Sequence, residues 1–355
     1  MSLDLHVDRA RWERHLGGIV AATPGLVPVI KGNGYGFGNP VLLGQAGRLD
    51  VELIAVGTPA DLAGLDAAVS AGYAGEVLVM VPWRPSDPAV PDGWSGRVVE
   101  TIGHAADVAA LAAIAQPGQG IVVELATSMR RHGVPLADLP ALARALAAAP
   151  GLDLRGFAVH LPLPGFADVE TEVGDILATL ADHGVPVATL FVSHVTPAHV
   201  ESLVRRHPGI EFRPRVGTAF WLGDRGSYRA VAAVLDVHPL ARGDRYGYRA
   251  RRALTGGHLV VVSGGTANGI STEPPAHTGS VRKRVTTLAI GGLEAAGFAM
   301  SPYTVSGSRR WFAEPPHMQV SMLLLPARAA VPEVGDEVAV NVGMTLTRFD
   351  RIVWK

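Results

Sequence analysis

Between residues 26 and 217 the sequence repeats one pattern, a short apolar run rich in β-branched residues and then a stretch whose apolar positions follow helical spacing. Runs that read as buried on both faces suit parallel strands, and parallel neighbours need a crossover long enough to hold a helix. Eight such runs can be counted: Val27 to Ile30, Glu52 to Val56, Glu76 to Val81, Arg97 to Ile102, Gly120 to Leu125, Leu154 to His160, Thr189 to His194 and Phe212 to Val216. Helical spacing occupies Pro59 to Ala71, Ala105 to Ala115, Leu136 to Ala149, Asp168 to His183 and Pro197 to Arg206. This repetition predicts an α/β fold, a (β/α)8 TIM barrel, whose chemistry collects at the C-terminal ends of its strands.

Beyond Gly223 the texture changes to β-rich segments punctuated by Gly and Pro. Strands are expected at Val234 to Val237, His258 to Val262, Val285 to Ile290, Tyr303 to Val305, Val320 to Leu325, Glu337 to Val340 and Arg351 to Trp354. A chain of 355 residues suits two domains. The expected division is a barrel over 1–223, with the segment from Met1 to Ala10 a candidate partner of the second domain, and a C-terminal all-β domain over 224–355.

One residue at a strand end stands apart. The chain carries 31 basic residues, and only Lys31, Lys283 and Lys355 are lysines. An ammonium can lose its proton and condense with an aldehyde, whereas a guanidinium stays charged. A lysine kept where arginine is the habit is therefore a candidate Schiff-base residue. Lys31 follows Leu26-Val27-Pro28-Val29-Ile30 and opens the turn Gly32-Asn33-Gly34-Tyr35-Gly36-Phe37-Gly38. A surface lysine after a strand is the plain alternative.

Charge and composition narrow the function classes. The formal net charge is −1 with no basic block, so neither nucleic acid nor an anionic membrane is an expected partner. The absence of cysteine excludes disulfides, thiolate metal sites and cysteine nucleophiles, and no metal site is expected. The start, Met1-Ser2-Leu3-Asp4-Leu5-His6-Val7-Asp8, does not read as a secretory signal, and no uninterrupted apolar stretch is long enough for a bilayer span. A soluble cytoplasmic protein is expected.

The segment PVIKGNGYGFG at 28–38 resembles the pyridoxal-phosphate lysine signature of alanine racemases, AVVKANAYGHG. Further segments follow in that family's order: TSMRRHG at 127–133, resembling TGMGRxG; GFAVHLP at 156–162; FRPRVGTAFWLG at 212–223, resembling VRPGIALYG; and GDRYGY at 243–248. The resemblance is to fold-type III pyridoxal-phosphate enzymes and extends over essentially the whole chain. It implies that Lys31 carries pyridoxal 5′-phosphate through a Schiff base and serves as one catalytic base, with Tyr35 reaching the cofactor phosphate. It also implies that Arg215 faces the pyridine nitrogen, keeping it unprotonated and favouring controlled proton transfer over decarboxylation. Gly217 and Thr218 would offer N–H groups to the phosphate, with the Thr196 hydroxyl beside them. Tyr246 matches the family's second base, delivered by the opposite subunit of a homodimer, and His160 matches the histidine that hydrogen-bonds it. A phenol's ordinary pKa of about 10 means such a base needs help near neutral pH. Arg131 matches the arginine that contacts the cofactor's phenolic oxygen and the substrate carboxylate, and Met318 a substrate-carboxylate position from the partner.

Each assignment has a plainer rival: a packed turn tyrosine for Tyr35, a surface ion pair for Arg215, a core histidine for His160, Tyr248 in place of Tyr246, and a packing methionine for Met318. Many family members hold the Arg131 equivalent with a carbamylated lysine. Glu124 stands at that position, and the expectation is that it orients Arg131 directly, the alternative being an inward carboxylate paired with another arginine. Gly265-Thr266-Ala267-Asn268-Gly269 departs from the family's GYADG, the stretch from Val334 to Lys355 looks short, and residues 271–284 form an unfamiliar loop. Two bases on opposite faces suit racemisation of alanine or a related small amino acid. Turnover of another amino acid by a related enzyme, or cofactor binding without turnover, are the competing expectations.

Overall fold

The computed structural model describes residues 2–88, 90, 93–94, 96–166, 168–271 and 299–355. The chain opens with strand β1 (Leu3–Val7) and helix α1 (Arg9–Ala22). It divides into two compact units, one of Arg14–Gly34 with Asn39–Gly223, the other of Met1–Glu13, Tyr35–Gly38 and Asp224–Lys355.

In the first unit, β2 (Val27–Ile30), β3 (Leu53–Val56), β4 (Glu76–Pro82), β5 (Val98–Ile102), β6 (Gln119–Leu125), β7 (Leu152–His160), β8 (Thr189–Ser193) and β9 (Glu211–Val216) form a closed parallel barrel. Closure is made by β2 against β9, with Val27 opposite Arg215 and Pro28 opposite Val216. The expected barrel is therefore present, strand for strand. Helices α2 (Asn39–Ala46), α3 (Asp66–Ser70), α4 (Ala105–Ala112), α5 (Leu139–Ala147), α6 (Val169–Asp182), α7 (Pro197–Arg206) and the short α8 (Thr218–Leu222) belong to its crossovers and to the turn after β9. Local chemistry explains α6 well. Asp168 caps its start by accepting from Thr171 N at 3.1 Å, and Val169, Val173, Ile176, Leu177 and Leu180 recur on one buried face. Burying each such side chain stabilises the unit by about 1.5–3 kcal/mol.

Strand periodicity sets what fills the barrel. Val27, Val29, Leu53, Ala55, Leu78, Val99, Val122, Ala158 and Phe191 pack together in its interior, while Ile102, Val123, Leu125, Val159 and Val192 pack outward with Leu142, Val173 and Leu203 of the helices. Because alternate residues share a face, the inward positions at the C-terminal ends fall on Lys31, Gly57, Met80, Glu124 and His160.

Two helices depart from expectation. The stretch Pro59 to Ala71 splits into a 3-10 turn (Pro59–Gly64) and α3. Helix α1 was not expected, because charges at Arg9, Arg11, Glu13 and Arg14 and the pair Gly17-Gly18 dilute a pattern whose anchors are Trp12 and Leu16, both buried.

The second unit is built on β10 (Tyr228–Leu240), β13 (Gly257–Ser263), β14 (Met300–Val305), β15 (Ser308–Phe312), β16 (Val320–Pro326), β17 (Glu337–Val340) and β18 (Arg351–Trp354), with β11 (Arg245–Tyr246) and β12 (Arg251–Arg252) as a separate small ladder. Among the described residues the sheet has eight strands, in the order β13-β16-β15-β14-β17-β10-β1-β18. Strand β1 joins it antiparallel to β10 and parallel to β18. Leu3, Val234, Val260, Tyr303, Phe312 and Leu323 share its core. The all-β character expected after Gly223 is present, with β15, whose Arg309 and Arg310 hid it, as an addition. The expected strand Val285 to Ile290 and nearly all of the loop 271–284 lie outside the described residues. No described helix is long and apolar enough to cross a membrane.

Candidate active site

The inward residues at the C-terminal end of the barrel line a cavity of about 390 Å³, bounded by Lys31, Gly57, Met80, Glu124, His160 and Arg215 from the strand ends and by Gly32, Thr58, Asp61, Val81, Arg131 and His132 from the turns. Lys31 leaves β2 where Trp221 Nε1–H donates to the Val29 carbonyl at 2.8 Å, so α8 pins the strand two residues before the lysine. Its flank is tight. A Cβ on Gly57 would stand 2.8 Å from Lys31 Cβ and 3.0 Å from Asp61 Oδ2. Lys31 is exposed, yet its ammonium is held below the ordinary amine range by desolvation first and then by the Arg131 and Arg215 guanidiniums. Depressed proton affinity is what an amine needs to act as nucleophile or base.

Arg215 is not a surface residue, since its side chain is 1% exposed. Nη2–H donates to the Val159 carbonyl at 3.0 Å, Nη1 lies 3.7 Å from Glu124 Oε2, and Nε is buried without a hydrogen-bond partner. Burial opposes its charge, Glu124 offsets that, and Arg131 adds repulsion. Here the expectation for Glu124 needs correction. Its ion pair runs to Arg215, and none joins it to Arg131 among the described residues. The reason is geometric: Glu124 points into the barrel on β6, as Arg215 does on β9, whereas Arg131 sits on the exposed loop after β6.

That loop is a closed excursion. Ala126 N–H donates to the Val134 carbonyl at 2.9 Å and Val134 N–H to the Glu124 carbonyl at 2.8 Å. Gly133, at φ 117°, passes so close to the Leu125 backbone that no Cβ fits there. Glu172 of α6 holds the loop from outside, accepting from Ser128 N at 2.6 Å and Ser128 Oγ at 2.9 Å.

His160 ends β7. Burial, followed by Arg131, Arg215, His194 and Lys31, pushes its imidazole down to about 3, so it is neutral near physiological pH. Its ring meets that of His194 edge on, with centroids 4.7 Å apart and planes at 71°. His194 adopts a left-handed φ of 60°, an uncommon conformation for such a residue, and its Nδ1 lies 2.7 Å from the Leu161 carbonyl. A carbonyl only accepts, so that contact places a proton on Nδ1 and sets the ring's orientation.

Thr196 caps α7, accepting from His199 N at 3.2 Å, which leaves its own O–H free to donate elsewhere. Gly217 and Thr218 open α8 directly after β9. The remaining residues predicted from sequence belong to the second unit. Tyr35 is buried with φ 53°, and burial raises its phenol above the ordinary range. Tyr246 is half-buried and pairs with Arg251 across the small ladder. Tyr248 is exposed, stacks on His317 at 4.4 Å, and its N–H donates to Glu314 Oε2 at 2.9 Å. Gly247, at φ 72°, lets that backbone close onto the Glu314 carboxylate. Met318 is 73% exposed and so does not pack in a core.

Sequence reasoning missed Gly57, Thr58, Asp61, Met80, His132 and His194. Two signals were available. Counting two residues beyond Ala55 and Leu78 reaches Gly57 and Met80, and Thr58-Pro59-Ala60-Asp61 has the spacing of a capping box, in which Asp61 Oδ2 accepts from Thr58 N at 2.9 Å.

Comparison with known proteins agrees with this architecture. A family model described as alanine racemase, N-terminal domain, matches residues 7–184. An alanine racemase of Nitratidesulfovibrio vulgaris (strain Miyazaki F) is 32% identical over 247 residues, and the match spans 64% of this chain and 64% of that protein's length. Among solved structures, alanine racemase from Bacillus anthracis with bound L-Ala-P superposes with a TM-score of 0.70 at 19% identity, covering 99% of this chain and 87% of that one. The alanine racemase of D-cycloserine-producing Streptomyces lavendulae gives 0.68 at 18% identity, covering 100% and 97%. At such identities these two speak for the fold alone. With the family model spanning half the sequence, the chain belongs to the alanine racemase family.

Proposed function

We propose that this chain is a pyridoxal 5′-phosphate-dependent amino-acid racemase using two bases, with alanine the default substrate and the cytoplasm its setting. One atom carries the reading. Arg215 Nε is a donor-only group, buried and without a partner, and it needs an acceptor that the protein does not provide. An unprotonated pyridine nitrogen is such an acceptor. The surroundings fit the same group: Lys31 lies in the same cavity with its ammonium destabilised, and its guanidinium neighbours favour an anionic occupant.

Lys31 would hold the cofactor covalently, Arg215 Nε would donate to its ring nitrogen, and Tyr35, Thr196 and the N–H groups of Gly217 and Thr218 would take its phosphate. Bound pyridoxal phosphate supplies an electron sink that makes the α-proton of an attached amino acid removable. Arg131 would orient the substrate carboxylate, joined by the partner subunit's Met318. Lys31 Nζ would take or give the α-proton on one face, and the partner subunit's Tyr246 Oη would do so on the other, which makes the active species a homodimer. His160, kept neutral, would accept a hydrogen bond from that phenol.

The test is to load purified protein with pyridoxal phosphate and follow α-proton loss by NMR in heavy water for L-alanine and a panel of other L-amino acids, with the enantiomer ratio read afterwards. Exchange with appearance of the D-form is expected for at least one substrate and names it. Tyr246→Phe should lose inversion and keep exchange with only one of the two enantiomers. No exchange with any amino acid, despite a bound cofactor, would overturn the racemase reading in favour of a binding protein.

A further inference from the structure

We propose that Glu124 is the positioning residue of Arg215, acting on the cofactor's ring-nitrogen side of the site and not on substrate capture through Arg131. This rests on the racemase reading above.

Both groups belong to the inward-facing layer at the C-terminal end of the barrel, and both are shut off from water, with side-chain exposures of 3% for Glu124 and 1% for Arg215. A guanidinium buried this fully needs a counter-charge, and a lone carboxylate at this depth would be equally costly. The 3.7 Å approach of Glu124 Oε2 to Nη1 supplies it. From the other side, Nη2–H is held by the Val159 carbonyl at 3.0 Å. Two of the three guanidinium nitrogens are thus fixed from the barrel wall, which sets the plane of the group and leaves Nε as the one buried N–H without a partner. Lys31 and Arg131 add positive charge to the same cavity, and repulsion from Arg131 acts on Arg215. Without Glu124, that repulsion and the burial cost would both favour rotation of Arg215 out of its plane.

Arg131 is placed differently. It is exposed on the 127–133 loop, and no ion pair or hydrogen bond engages its side chain among the described residues. The carboxylate that sequence position suggested for it is already committed elsewhere. Arg131 is therefore unclamped before substrate arrives, and the two arginines do separate work: Arg215 is fixed by the protein, and Arg131 is free to close on an incoming carboxylate.

A double-mutant cycle tests this. Cofactor-free Glu124→Gln, Arg215→Lys and the double variant are titrated with pyridoxal phosphate by fluorescence, and the KM for the best amino acid is measured for wild type, Glu124→Gln and Glu124→Asp. Each single change should weaken cofactor binding by about 10-fold, and the double by about 10-fold as well, not 100-fold, because the two act as one unit. In Glu124→Gln, KM should stay within about twofold while kcat falls; Glu124→Asp should recover part of kcat. Additive losses in the cycle, or a raised KM with kcat unchanged, would overturn the proposal and return Glu124 to Arg131. Wild-type protein that neither binds the cofactor nor exchanges an α-proton would instead overturn the racemase reading, and this inference with it.

Discussion

Gly57 offers a test of how closely the fold controls Lys31. An alanine there would put a methyl carbon 2.8 Å from Lys31 Cβ, about 0.7 Å short of the 3.5 Å at which two carbon atoms first reach optimal contact. Neither neighbour can yield cheaply. Lys31 Cβ is one bond from the main chain, and β2 is pinned just before it by the Trp221 bond to the Val29 carbonyl. Asp61 Oδ2, 3.0 Å from the added carbon, accepts from Thr58 N, a bond worth about 1 kcal/mol. Overpacking of this kind costs about 1–3 kcal/mol, and displacement of a reacting group by about 1 Å costs about 100-fold in rate. Gly57→Ala should therefore lower stability by about 1–3 kcal/mol in a urea titration and slow α-proton exchange by about 10- to 100-fold. Gly174→Ala is the control. That glycine lies mid-helix in α6 with nothing within 4 Å of its Cβ position, so alanine should stabilise by about 0.5–1 kcal/mol and leave the rate alone. If Gly57→Ala exchanges at the wild-type rate with an unchanged midpoint, the packing argument for Lys31 is wrong.

Three further outcomes are expected. His160 is neutral when folded, with its imidazole pushed down to about 3 against an ordinary value near 6.5, so between those values the unfolded chain binds the extra proton and stability falls as the pH is lowered from about 6.5. His160→Gln should flatten that part of the profile of melting temperature against pH, and an unaltered slope would count against a buried neutral imidazole. Glu172→Ala removes both bonds that hold the Arg131 loop at Ser128, so KM for the amino acid should rise about 3- to 10-fold while the melting temperature barely moves. Trp221→Phe deletes the donor to the Val29 carbonyl and should cost about 1–3 kcal/mol in denaturant unfolding; a neutral result would mean that α8 does not secure β2.

Several features of the site can be read from local pattern. The period of two along β2 that puts Val27 and Val29 inside the barrel also puts Lys31 there, and the same count from Ala158 reaches His160. Others leave weak traces. Asp61 announces itself only through its capping spacing to Thr58, and α1 hides behind its charges and its paired glycines. Tyr246 sits in a ladder of two residue pairs, too short for any alternation to reveal.

The sequence by itself determined the architecture and the place of Lys31 at a strand end, because alternation of strand and helix and the placement of a lysine after an apolar run are local properties. Only the tertiary structure decided which charges pair. Glu124 and Arg215 lie on strands that are not neighbours in the barrel, and nothing along the chain links them. Closure of the barrel brings both into one water-free layer, where the cost of burying each charge is met by the other, while Arg131, close to Glu124 in sequence, is carried out on a loop.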